Sequence, residues 1–241
     1  HCHLNFNSFN NDLKDVLDRA RIAGVMRMVI PAISVSTSTE VVELCQRFTQ
    51  LFPAIGIHPN DASDFSLRDV DRLHQIARES EVVAIGEIGL DAYHHDVDMK
   101  QQMIAFEAQL DLADELDLPV LIHNREADQM IEQELEKWLA RKKSSSDRQG
   151  NVGIMHSFSS TLDFANTVMK MGFSIGASGP VTFKNASDKR EIFRNIPSDR
   201  LVFETDAPFL TPHPYRGKRN EPSFLKFIAE EFSRLWELPL D

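Results

Sequence analysis

Short apolar runs rich in Val and Ile alternate along this chain with longer amphipathic stretches. The runs are MRMVIPAI at 26–33, PAIGIHP at 53–59, VVAIGEIGLD at 82–91 and LPVLIHNR at 118–125. They continue with NVGIMHSFS at 151–159, FSIGASGP at 173–180 and LVFETDAP at 201–208. Each reads as a strand, and HCHLNF at 1–6 reads as the tail of an eighth. Between the runs the pattern is helical: Met99, Met103, Phe106, Leu110 and Ala113 recur at steps of three and four, one face of a helix. Strands alternating with helices predict βαβ units and a parallel sheet. Eight such units in 241 residues predict an α/β fold, a TIM-type (β/α)8 barrel. A doubly wound open sheet is the alternative, but no Gly-rich phosphate loop follows the first strand. No repeat or internal boundary stands out, so residues 1–241 are expected to form a single domain.

Polar residues interrupt these runs, mostly at their C-terminal ends. They are His1, His3, His58, Glu87, His123, His156 and Asp206. In a barrel the C-terminal strand ends share one face, and that face carries the active site. Buried ionised groups need partners, and imidazoles with carboxylates are good ligands for divalent metals. Strand side chains alternate with period two, so His1 and His3 face one side while Cys2 faces the other and packs in the core. Singly, each residue has a plainer reading. A strand histidine can be a satisfied core or surface residue, Glu87 can mark a turn, and Asp206 before Ala207 and Pro208 can start one. Joint placement at successive strand ends favours the metal reading.

Composition narrows the options. The chain is 42% hydrophobic and 26% charged, ordinary for a globular protein. It has no run of about 18 apolar residues, so no membrane span is expected, and no signal peptide is visible. Two cysteines give no disulfide framework, which predicts a reduced, cytoplasmic setting. The formal net charge of -11 argues against a passive DNA-binding module. The stretch RKKSSSDRQG, 141–150, reads as an exposed charged loop.

The segments HCHLNF, GIHPND, GEIGLD, IHNREA, MHSFS, ETDAPFL and PYRGKRNEP stand in an order that resembles the TatD-like deoxyribonucleases, metal-dependent hydrolases of the amidohydrolase superfamily. The resemblance runs from residue 1 to about residue 222. It implies a barrel hydrolase that removes nucleotides from DNA ends with two divalent ions, or three, and magnesium, manganese and zinc are not distinguished. It assigns His1 and His3 to the first metal, Glu87 to a bridge between two ions, and His123 and His156 to the other metal. Asp206 matches the aspartate that binds metal and contacts the nucleophilic water, and Glu204 an added metal contact or a supporting group. Members carry a few apolar residues, an Asp and a Thr before H-x-H, and a helix or two beyond the position of Pro239. The resemblance therefore implies a chain truncated at both ends, with weaker support beneath His1 and His3. DAYHHD, 91–96, falls at a variable loop, and no ligand role is assigned to His94 or His95.

Cations are candidates for substrate contact. Arg125 lies two residues after His123 and points the same way in an extended chain, and Arg216, Lys218 and Arg219 cluster after the last strand. Guanidinium groups match phosphate oxygens. The plainer reading is a solvated loop with Arg219 tied to Glu221. His58 is expected near the substrate phosphate, and Tyr93 and Tyr215 are candidates for base stacking. Two other functions remain open: hydrolysis of a small amide, ester or phosphoester, since fold does not fix substrate, and a non-catalytic binding barrel. No protein partner is indicated.

Overall fold

The structure is a computed structural model that describes residues 1–141 and 152–239. Seven parallel strands form one sheet in sequence order. They are β1 Met28–Pro31, β2 Leu51–Ile55, β3 Ala84–Asp91, β4 Val120–Arg125, β5 Gly153–Met155, β6 Phe173–Ala177 and β7 Leu201–Phe203. Helix α1, Leu13–Ile22, precedes β1, and α2 Val35–Arg47, α3 Leu67–Glu79, α4 Met99–Glu115 and α5 Asp128–Arg141 each follow a strand. So do α6 Leu162–Lys170, α7 Ser187–Arg194 and α8 Leu225–Trp236. This is the alternation of a TIM-type barrel. The exposed loop expected at 141–150 lies outside the described residues from 142 onward.

The segment read as an eighth strand is short here, but it occupies the seam. The Cys2 N–H donates to the Val29 carbonyl at 3.2 Å, and the His3 N–H to the Ala207 carbonyl at 2.7 Å. Cys2 bridges Ala207 in parallel register. Residues 1–3 thus join the β1 side of the sheet to the chain leaving β7. Several strands are shorter than their apolar runs. The surplus residues, such as 156–159 and 204–208, leave the sheet at the end where the site forms.

The helix pattern is met. Phe106, Leu110 and Ala113 of α4 are fully buried against the sheet, with Met99 and Met103 partly so. Each large side chain of this kind contributes about 1.5–3 kcal/mol of burial. The α2 N-terminus is held by a capping box, Ser34 with Thr37. Inside the barrel, Ala54, Ala84 and Leu121 pack with Val29 and Ile154. Leu121 and His123 share a strand face, so this small cluster forms a floor under the polar residues above it. Among the described residues, no helix is long and apolar enough to cross a membrane.

Candidate metal centre

Glu87 sits where β3 departs from regular pairing. Ile85 faces Val120 but Ile88 faces Ile122, so three steps on β3 match two on β4. Such a bulge re-aims a side chain. The carboxylate ends up 3% exposed and central to two groups of histidines. On one side, Oε2 lies 3.4 Å from His1 Nε2 and 3.9 Å from His3 Nε2. On the other, Oε1 lies 3.0 Å from His123 Nδ1 and 3.8 Å from both His58 Nε2 and His156 Nε2.

Asp206 closes the set. Its Oδ1 lies 3.6, 3.4 and 3.5 Å from the Nε2 atoms of His1, His3 and His156. Asp206 and Ser157 both take left-handed backbone, φ 56° and 43°, which costs a non-glycine residue about 1–2 kcal/mol. Hydrogen bonds hold these turns: Asp206 N–H donates to the His1 carbonyl at 3.1 Å, and Ser157 N–H donates to Glu204. Glu204 also meets His156 Nδ1 at 2.7 Å, orienting that ring. A Cβ on Gly176 would overlap the Glu204 carboxylate, so glycine is what leaves room for it.

The charges are tightly matched. Burial alone would raise the Glu87 carboxyl, but His156, His123 and His58 hold it well below its ordinary value. Burial likewise opposes ionisation of Asp206, yet His156 and His3 bring it down to about 2. Burial disfavours a charged His156, and the carboxylates of Glu204, Glu87 and Asp206 outweigh it and raise the ring well above its usual value. Burial dominates at His58 and lowers it to about 4, so that ring is neutral near pH 7.

These atoms fit a divalent cation. His1 Nε2 and His3 Nε2 are 3.3 Å apart, the span of two nitrogens about 2.1 Å from one ion at a near-tetrahedral angle. Among the described residues their Nδ1 atoms are buried with no hydrogen-bond partner, while the Nε2 atoms face Glu87 and Asp206. His1, His3 and Glu87 converge within 4.8 Å, as do His58, Glu87 and His123, and His1, His156 and Glu204. The first two sets share Glu87.

A cavity of about 450 Å³ opens over these residues. Arg125 and Asn124 line it, as do Phe6, Phe209 and His94. The Arg125 guanidinium stands 4.9 Å above the Tyr93 ring. Arg216 and Arg219, expected to contact substrate, do not line this cavity. Arg219 is clamped by both oxygens of Asp12, at 2.8 and 2.7 Å, over the Phe9 ring, and Arg216 lies over Phe183 at 4.2 Å. Glu221, expected to hold Arg219, instead takes Arg19 at 2.6 Å. Tyr215, the other candidate for base stacking, is stacked on Phe224 at 4.8 Å and does not line this cavity. Sequence reading missed Asp91, which is 1% exposed and bonded to His123, His94 and Asn60. Its signal was parity, since it stands four residues after Glu87 at the end of the same run. Phe6 and Phe209 carried no sequence signal.

A parallel barrel with histidines and carboxylates gathered at the C-terminal strand ends defines a metal-dependent hydrolase. The chain belongs to the TatD related DNase family, whose model matches residues 1–241. It is 41% identical over 242 residues to the uncharacterized metal-dependent hydrolase YabD of Bacillus subtilis, covering 100% of this chain and 91% of that protein. It is 37% identical to the 3'-5' ssDNA/RNA exonuclease TatD of Pantoea vagans, covering 95% and 87% respectively. The crystal structure of YjjV, a TatD homolog from Escherichia coli, superposes with a TM-score of 0.90 at 30% identity, covering 99% of this chain and 90% of that one.

Proposed function

We propose that this chain is a metal-dependent deoxyribonuclease that shortens DNA from an end. In this reading His1, His3, Glu87, His123, His156 and Asp206 hold two divalent ions, His58 joins the set around His123, and Glu204 orients His156. The observation that carries the reading is one cavity's make-up. A carboxylate shared by two histidine groups lies in a cavity whose lining includes Arg125, stacked on Tyr93, and half-exposed Phe209. Cations and aromatic faces around a metal cluster suit a single-stranded phosphodiester. Relatives named as ssDNA/RNA exonucleases support the same substrate class. A cytoplasmic setting belongs to the proposal, supported by two free buried cysteines.

When bound, the ions polarise the phosphodiester and lower the pKa of water. They also supply positive charge to a chain whose net charge is -11. Glu87 holds the two ligand sets in register. Asp206 is ionised near pH 7 and its side chain is 14% exposed, so it can orient a water and take its proton. Arg125 neutralises phosphate oxygen, and Phe209 offers a face to a base.

The test is incubation of the protein with end-labelled single- and double-stranded DNA under Mg²⁺, Mn²⁺, Zn²⁺ or EDTA. Metal-dependent shortening, lost in Glu87→Gln and Asp206→Asn, is the expected result. Intact DNA under every metal, with turnover of small esters or amides, would overturn the nuclease reading. Neither activity, with no metal found by elemental analysis, would favour a binding protein.

A further inference from the structure

A second cavity of about 580 Å³ adjoins the first and shares Asn124, Arg125 and Ser159 with it. Arg125 stands at this common opening, exposed, and among the described residues it has no carboxylate partner. From α7, Ile192 also lines the cavity. Lys189 lies three residues earlier, on the same helix face. Its Nζ donates to the Phe158 carbonyl at 3.2 Å, next to Ser159. Burial, and then the charge of Arg125, lower the Lys189 ammonium from its ordinary value, so the two cations sense each other. Of the carboxylates in the lining, Asp128 already accepts from Asn124 and Ser160, and Glu126 is solvent-exposed. The cavity thus has one lining cation, Arg125, beside the serine hydroxyls, and the Lys189 ammonium borders it at the Phe158 carbonyl; guanidinium and ammonium together suit a tetrahedral oxyanion.

We propose that this second cavity holds the phosphodiester next to the scissile one in a single-stranded polynucleotide, with Arg125 at the shared opening and Lys189 as a second cation that meets the same phosphate. The inference rests on the nuclease reading above, and it adds a requirement for a strand rather than an isolated phosphoester. Nothing passes between bonds at this second site; it contributes binding and orientation alone.

The experiment compares wild type, Lys189→Gln and Lys189→Arg on two substrates with the same divalent ion. One is a labelled thymidine oligonucleotide, and the other is bis(p-nitrophenyl) phosphate, which has one phosphate. The ratio of kcat/KM, oligonucleotide over small ester, is expected to fall about tenfold in Lys189→Gln and to recover in Lys189→Arg. Anisotropy of the labelled strand in EDTA reads binding without turnover. There the slope of log affinity against log salt is expected to shrink by about 0.7 in Lys189→Gln, the loss of one phosphate contact on a single strand. An unchanged ratio and slope in protein that cuts the strand overturn the second site and leave the nuclease reading standing. An equal fall on both substrates assigns Lys189 to folding and also overturns it. A wild type that leaves the strand uncut under every metal, yet binds it with a slope that depends on Lys189, keeps the site and overturns the nuclease reading.

Discussion

Asp91 stands behind His123: its Oδ2 lies 3.1 Å from the ring Nε2, while the other ring nitrogen, Nδ1, lies 3.0 Å from Glu87. Asp91 is itself fixed by the N–H groups of Tyr93 and His94, at 3.0 and 2.8 Å, and by the Asn60 amide at 3.2 Å. Burial disfavours its charge, but these bonds and the His123 ring hold its carboxyl well below the ordinary range. A carboxylate that locks the far nitrogen of a ligand histidine sets its tautomer and orientation. Asp91→Ala is therefore expected to weaken Mn²⁺ binding about 10–100-fold, with circular dichroism unchanged. Titration calorimetry giving wild-type affinity would show that Asp91 does not support the centre.

Gln109 makes a second prediction. It is fully buried on α4, accepts from the Ile57 N–H at 2.7 Å and donates to the Ile57 carbonyl at 3.1 Å. The next residue is His58. Gln109→Leu keeps the side chain's bulk but strands a buried donor and acceptor, a loss of about 1–3 kcal/mol. Urea unfolding should show a lower midpoint with an unchanged slope. A shift below about 0.5 kcal/mol, the usual scatter of a neutral substitution, would mean that water or a rearrangement replaces the amide.

The parts legible in the sequence share one property: their signal is local and periodic. Strand runs, the α4 face and the placement of His1, His3, His123, His156 and Asp206 follow from alternation plus the rule that strand ends share a face, whereas Glu87 lies within β3 and is aimed by its bulge. What escaped depends on pairings between distant segments. Gln102, which carries no apolar signal on α4, is buried and bonds the Asp91 N–H at 2.8 Å and carbonyl at 3.0 Å. Arg219 reads as a free cation beside the site, and it is bound by Asp12, 207 residues away. Spacing in one chain cannot choose between Asp12 and Glu221 as its partner, because nothing in the spacing brings residue 12 beside residue 219.

That Asp12–Arg219 pair makes stability depend on acid. The Arg219 hydrogen bond lowers Asp12 from 3.8 to about 2. A carboxylate depressed in the folded state adds stability above its unfolded pKa and loses it as pH falls through the folded value. The contribution should be full above about pH 4 and be lost between there and about pH 2. Comparing the Tm of wild type and Asp12→Asn, the gap should be widest near neutrality, close as pH drops, and shrink in high salt because the pair is solvent-accessible. A gap that stays constant from pH 6 to pH 3 would assign the effect to neutral hydrogen bonding rather than charge.

Cys2 lies between two proposed ligands, so its role is the sharpest check on the strand geometry. Period two turns it away from His1 and His3, and it packs 1% exposed in a cluster with Val16, Ile30, Val41 and Ala207. Metal ligation needs a thiolate, but burial pushes this thiol up to about 11. Its backbone, rather than its sulfur, supports the seam through the bond to Val29, and a substitution leaves that bond in place. Cys2→Ala should bind the same number of metal equivalents as wild type and lose only about 1 kcal/mol of packing. Cys2→Ser should lose more, since its hydroxyl enters an apolar cluster. His1→Ala or His3→Ala should lose metal with little change in the core. Elemental analysis of the purified variants decides the matter: a missing metal equivalent in Cys2→Ala, with the fold intact, would mean the sulfur faces the ions and the register of residues 1–3 is shifted by one.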